Sequence, residues 1–248
     1  MIKINGLTEI MTGFKTFQFI GILGFFFFYL INPEFAISKN ETQYLLSNLE
    51  NALNEKDIKS LKDYFNDDEA FVISNKFSDI IDEFEDLNWQ ITSKTSQEED
   101  ENYWEVQLTG SKIIDGEKFV LESNFDYYFT ILNGKIEDGF IKNDLTIIRN
   151  DNNFIDINIV IPDRVLSGSN YYLDIIINEP LGSEIYAGGL VAHQEDSLFG
   201  QDILLEPLLA GGIFKVTRAP SKPGIQVWTG IIAHQEGLIT FTKTVEIT

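Results

Sequence analysis

Residues 118–148 read KFVLESNFDYYFTILNGKIEDGFIKNDLTII. Two long runs of β-branched and aromatic residues flank Asn133-Gly134, a two-residue turn in which both positions need positive φ. The stretch therefore predicts an antiparallel hairpin, Lys118 to Leu132 against Ile136 to Ile148. Upstream, Tyr103 to Ile114 reads as another long strand. Asn88 to Ser93 alternates, with Trp89 and Ile91 on one face. Helical spacing precedes the strands. Asn40 and Gln43 are placed as a capping box, and Leu45, Leu46, Leu49, Ala52 and Leu53 follow at helical intervals. Asn54 to Asp57 interrupts. Ile58, Leu61, Tyr64 and Phe65 predict a second short helix, and Phe77 to Phe84 a third. Helices followed by hairpin-linked strands predict an α+β design, a cone-like N-terminal domain whose curved antiparallel sheet covers the helices' apolar stripe.

This order resembles the nuclear transport factor 2-like superfamily, including its SnoaL-like branch. The resemblance is carried by the helix junction Ala52-Leu53-Asn54-Glu55-Lys56-Asp57-Ile58 and by the strands around Phe125 to Leu132 and Asn133-Gly134-Lys135-Ile136. It covers residues 41–148. It implies a cone whose mouth holds a small apolar molecule. In the enzymes of that group, it implies a carboxylate in an apolar site that acts as base or hydrogen-bond donor. The residues placed to line such a cone are Tyr64, Trp89, Trp104 and Phe140, with Asp126 and Tyr128 as a catalytic pair. Asp126 and Tyr128 share one face of their strand. The same alternation also allows Phe125, Tyr127 and Phe129 to be the core and Asp126 and Tyr128 the wet face. The cost of burying an isolated carboxylate favours the wet face.

Past Arg149-Asn150-Asp151-Asn152-Asn153 the charge thins and helical periodicity stops. Residues 150–153 are read as a linker between a domain at 39–149 and an all-β domain at 154–248. Seven strands are expected there: Phe154 to Ile161, Tyr171 to Asn178, Glu184 to His193, Ile203 to Glu206, Ile213 to Arg218, Ile225 to His234 and Leu238 to Ile247. Seven short strands in such a length resemble an immunoglobulin-like β-sandwich, without its cysteine pair and with Trp228 late, on the sixth strand.

Gly189-Leu190-Val191-Ala192-His193-Gln194-Glu195 recurs as Gly230-Ile231-Ile232-Ala233-His234-Gln235-Glu236, and these copies hold the only 2 histidines. His193 and His234 are thus candidate metal ligands. In a sandwich, however, the third and sixth strands run antiparallel, which sets the histidines at opposite ends. The simpler reading is two similar strands with small residues where neighbours approach closely.

Phe17 to Ile31 is almost wholly apolar and is preceded by Lys15. Asn32-Pro33 follows, then Ala36-Ile37-Ser38, which fits signal-peptidase cleavage before Lys39. Residues 1–38 are read as a signal peptide, or as a membrane anchor through residues 14–31 if uncleaved. A core helix is the third possibility, and Met11 an alternative start. Either of the first two readings makes residues 39–248 extracytoplasmic, periplasmic or secreted. The net charge is -21 with no cysteine. That charge opposes nucleic acid and anionic membrane surfaces. Absence of cysteine excludes disulfides and thiolate chemistry. No nucleophile elbow, phosphate loop, dinucleotide fingerprint or complete calcium loop is present, so no cofactor is expected. The acidic runs 79–86 and 98–101 read as solvated. The expected role is an exported, non-enzymatic binding protein whose partner is a small apolar ligand or another exported protein. The alternative is an isomerase- or cyclase-like enzyme using the N-terminal cone.

Overall fold

The computed structural model describes residues 39–95, 102–152, 155–178, 186–194, 203–208, 211–234 and 237–248. The leader and the acidic loop at 98–101 lie outside these residues. Among the described residues, no helix is long and apolar enough to cross a membrane. The fold is mostly antiparallel β-sheet with three helices.

Helix α1 spans Lys39–Asn54, α2 is the single turn Leu61–Tyr64, and α3 spans Asp67–Glu83. In α1, Leu46, Leu49, Ala52 and Leu53 form the buried stripe. The helix stops where Lys56 enters the left-handed region. Helix α3 starts well before Phe77, where the apolar spacing alone places it. Asn66 is the reason: its side chain accepts from the Glu69 N–H at 2.9 Å and caps the helix. Ala70, Phe77 and Ile80 then face the core.

Strands β1 (Glu85–Thr95), β2 (Asn102–Ile114), β3 (Glu117–Leu132) and β4 (Lys135–Asn150) form a meander. Asn133 and Gly134 both take positive φ at the β3–β4 turn. Helix α1 covers the outer edge of β1. Asn54 donates to the Trp89 carbonyl at 2.9 Å and accepts from the Trp89 N–H at 2.8 Å. Glu50 accepts from the Ile91 N–H at 2.7 Å. An exposed strand edge is thereby occupied by the protein's own side chains.

The second half contributes β5 (Ile157–Val160), β6 (Arg164–Val165), β7 (Asn170–Ile177), β8 (Ala187–Gln194), β9 (Glu206–Pro207), β10 (Gly212–Arg218), β11 (Gly224–His234) and β12 (Gly237–Ile247). One sheet runs β1-β2-β3-β4-β12-β11-β8-β9, with β6 parallel to β12, and a smaller sheet runs β10-β7-β5. The two halves therefore share a sheet. Thr242 pairs with Thr146 and Ile239 with Arg149 across β12 and β4. The polar stretch read as a linker begins at the end of β4, where Asn150 accepts from the Leu238 N–H at 2.7 Å. Pairing of β12 with β4 joins the two halves in one sheet across it.

Two cores result. One lies between the helices and β1–β4, around Leu61, Phe84, Leu108 and Leu121. The other lies between the small sheet and β11–β12, around Leu173, Ile175, Trp228, Ile232 and Phe241. Across the second, Trp228 donates to the Tyr171 hydroxyl at 2.8 Å, and that hydroxyl meets the Gln226 amide oxygen at 2.5 Å. Residues 203–205, expected as strand, are unpaired. They cross the opposite face of β8 and β11, where Ile203 and Leu205 pack against Ile231 and Ala233.

The repeated heptapeptide is explained here. A Cβ on Gly189 would stand 2.4 Å from the Leu204 carbonyl oxygen, and one on Gly230 would stand 2.2 Å from the Phe241 ring. Phe241 is completely buried and has no room to retreat. Gly230→Ala is therefore expected to lose about 1–3 kcal/mol in urea unfolding, as overpacked cores do. Combining it with Phe241→Leu is expected to recover part of that loss.

Candidate functional site

Between α1, α3 and the inner face of β1–β4 lies a cavity of about 90 Å³. Its walls are apolar: Leu49, Phe77, Val106, Phe125 and Ile141 with the rings of Trp89 and Trp104. Phe77 meets Trp89 edge-on at 5.9 Å, and Trp104 lies 6.3 Å from Tyr127. For scale, an apolar cavity of about 150 Å³ holds a benzene ring. This one is smaller, of a size for a short alkyl chain.

Polar groups interrupt the walls at few places. Lys76 of α3 lines the cavity and is only 8% exposed. Loss of water lowers its ammonium from the ordinary lysine range to about 8. Trp89 Nε1, Trp104 Nε1 and the Tyr127 hydroxyl are buried and make no hydrogen bond. Indole N–H is a donor only, so two of these three groups can be satisfied only by an acceptor.

One helical turn before the lining residue Ile73, Glu69 is 4% exposed. Its Oε1 accepts from the Gly139 N–H at 3.1 Å, and its Oε2 has no partner. Burial raises this carboxyl to about 7, with Asp138 and Glu137 adding repulsion against the Gly139 hydrogen bond. The Tyr127 hydroxyl abuts the same glycine, since a Cβ on Gly139 would lie 1.9 Å from it. Burial, and the Glu69 charge beside it, push the Tyr127 phenol well above its ordinary range. A carboxyl and a phenol thus meet at Gly139, at the foot of the cavity wall.

The residues singled out in the sequence fall into three groups. Trp89 and Trp104 line the cavity, whereas Tyr64 packs against the core outside it. Asp126, Tyr128 and Phe140 belong to the other face of the sheet. Tyr128 stacks between Tyr103 at 4.9 Å and Phe140 at 5.3 Å, with the Lys142 ammonium 4.5 Å from its ring. Asp126 accepts from the Asn143 amide at 2.6 Å, and partial burial raises its carboxyl. Neither reaches the cavity, because Phe125 and Tyr127 occupy the inner positions of β3.

The histidines are not brought together. β8 and β11 pair antiparallel, His193 opposite Val227, and His234 lies seven residues further along β11. At about 3.3 Å per residue that is on the order of 20 Å. His234 stacks on Tyr186 at 4.5 Å. Among the described residues, no group of three or more metal-ligating side chains exists.

Sequence reasoning missed Glu69, Lys76 and Tyr127. A signal was present. Glu69, Val72, Ile73, Lys76, Phe77 and Ile80 share one helical face, and two charged residues stand within its apolar period.

Since folding lifts the Glu69 carboxyl from 4.5 to about 7, the contribution of this one group to stability is greatest below pH 4.5 and is lost as pH rises through 7. The whole effect is at most about 3 kcal/mol. Glu69→Gln is expected to flatten this slope, its gain over wild type appearing at pH 8 and vanishing at pH 4.5. Urea unfolding at the two pH values checks it.

Residues 152–248 match a family described as Domain of unknown function (DUF8623), which leaves the cavity residues outside the match. No curated protein matches the chain.

Proposed function

We propose that this chain is an exported, non-enzymatic binding protein whose first half takes a small apolar molecule. The observation that carries the reading is the apolar cavity between α3 and the sheet. Protein interiors close-pack to crystal density, so standing apolar space with an open side is what a ligand site looks like. The apolar segment at residues 14–31, with small residues at Ala36 and Ser38, supports export. Helices laid on a meander of four strands support a nuclear transport factor 2-like relation for residues 41–148. For residues 154–248, the order β12-β11-β8-β9 facing β10-β7-β5, with β6 parallel to β12, supports an immunoglobulin-like sandwich. Its sheet edges are the natural place for a protein partner.

One observation favours a second reading, an isomerase- or cyclase-like enzyme: the Glu69 carboxyl and Tyr127 phenol at Gly139. A carboxyl near neutrality can exchange a proton with a bound carbonyl compound. In D2O the enzyme would speed deuterium uptake next to the carbonyl of cyclohexanone, and Glu69→Gln would abolish the gain.

The binding reading predicts that 1-hexanol shifts the indole N–H resonances of Trp89 and Trp104 with a Kd on the order of 1 mM, about 4 kcal/mol. Trp228, hydrogen-bonded in the other core, is the internal control. Val106→Phe fills the cavity and is expected to remove the shifts while circular dichroism stays unchanged. Shifts that survive in this variant place the alcohol elsewhere and end the reading.

A further inference from the structure

We propose that the free edge of β10, Gly212–Arg218, takes an extended, acidic segment of a partner protein as an added antiparallel strand. The inference rests on the binding-protein reading and adds to it the edge used and the chemistry of what pairs there.

β10 is an end strand of the small sheet β10-β7-β5, and among the described residues no strand pairs with its other side. The bond from the Ile177 N–H to the Gly211 carbonyl fixes the phase of its ladder. In an antiparallel pair, directly bonded partners alternate with unbonded ones. Ile213, Lys215 and Thr217 therefore bond to β7, and the N–H and carbonyl groups of Phe214 and Val216 point away from it. Ile213 packs against the core, and the Lys215 ammonium lies 5.3 Å from the centre of the Trp228 ring. Phe214 and Val216 alternate with them and stand on the outer face, 55% and 59% exposed. Val216 is opposite the exposed Tyr172, and Phe214 is opposite Asp174, with the exposed Val160 beyond. A bare edge and an apolar face thus adjoin. Strand addition uses both: main-chain bonds give affinity and alternate side chains give selection. The outer edge of β1, by contrast, is occupied by Asn54 and Glu50.

Charge selects the partner. Residues 207–235 contain no acid, in a chain that has 39, and they hold Lys215, Arg218 and Lys222. Asp174 is on the outer face but belongs to β7, one strand in from the edge. At about 0.15 M salt, charges beyond about 8 Å are screened, so these local bases outweigh the distant acids. A second copy pairing through the same edge would set β10 against β10. With Phe214 opposite Val216, each Lys215 would face the other, and like charges directly opposite destabilise a strand pair. An acidic strand meets the same edge with the opposite charge.

The experiment titrates the full chain with an octapeptide alternating valine and glutamate, and with its counterpart alternating valine and lysine. Backbone amide resonances and hydrogen exchange are followed. The glutamate peptide is expected to shift the Phe214 and Val216 amides and slow their exchange. It should bind roughly tenfold more tightly than the lysine peptide at about 0.05 M salt, the difference narrowing at about 0.5 M. Val216→Pro removes an outward N–H and no bond of the ladder, as proline on an edge strand can. It is expected to abolish binding while circular dichroism stays unchanged. Binding that survives Val216→Pro, or a lysine peptide that binds as tightly, overturns the proposal. So does slowing of these amides by raised protein concentration alone, which makes a second copy the occupant. If the variant does not fold, unchanged exchange at Phe214 and Val216 in wild type overturns it by itself. The hexanol shifts at Trp89 and Trp104 belong to the other core and test the cavity reading separately.

Discussion

The inner face of the first sheet depends on a local constraint in β4: twice, this strand carries one residue more than its partner. Between Asn124 and Asp126 of β3, and again between Tyr128 and Thr130, the register shifts. At the matching places in β4, Asn143 and Asp138 take positive φ. A third shift on β1 coincides with Asp86 at positive φ. Asn and Asp enter the left-handed region more readily than other non-glycine residues, which is why they stand at these points. Each extra residue bends its strand and sharpens the twist. The cavity lies between this bent sheet and the helices α1 and α3.

What the cavity can do follows from the unequal chemistry of its wall. Most of it is hydrocarbon, which makes contact area without direction. The indole N–H groups of Trp89 and Trp104 and the Tyr127 phenol are buried behind that wall without a hydrogen bond. Gly139 admits the Tyr127 hydroxyl and offers its own N–H to Glu69. That one position without a side chain gathers the acid and the phenol.

The bulges also explain which parts were legible in the sequence. The Asn133-Gly134 hairpin, the long strands and most of the second half's strands were readable, because alternation and turn residues act locally. In β3, alternation placed Phe125, Tyr127 and Phe129 against Asp126 and Tyr128, and Tyr127 turned out to be the phenol inside. In β4 the buried residues Ile136, Ile141 and Ile148 fall at intervals that no period of two produces, because the extra residues reset the faces. The early start of α3 hung on a side-chain cap at Asn66, and Glu69 with it. The shared sheet was hidden for a different reason. Pairing between β4 and β12 is a long-range event, and no neighbourhood of the sequence records it.

That pairing sets an order of assembly. The strand that seals β4 is β12, Gly237–Ile247, which follows it only after the whole set β5–β11. Until it has been synthesised, β4 presents a bare edge of unpaired amides and carbonyls to whatever is nearby. A chain that stops short of residue 237 keeps that edge, an invitation to pair with other molecules. Closing so long a loop makes this step slow compared with the local hairpins. β12 thus works as the latch of the first half, whose open edge closes only once Gly237–Ile247 is in place.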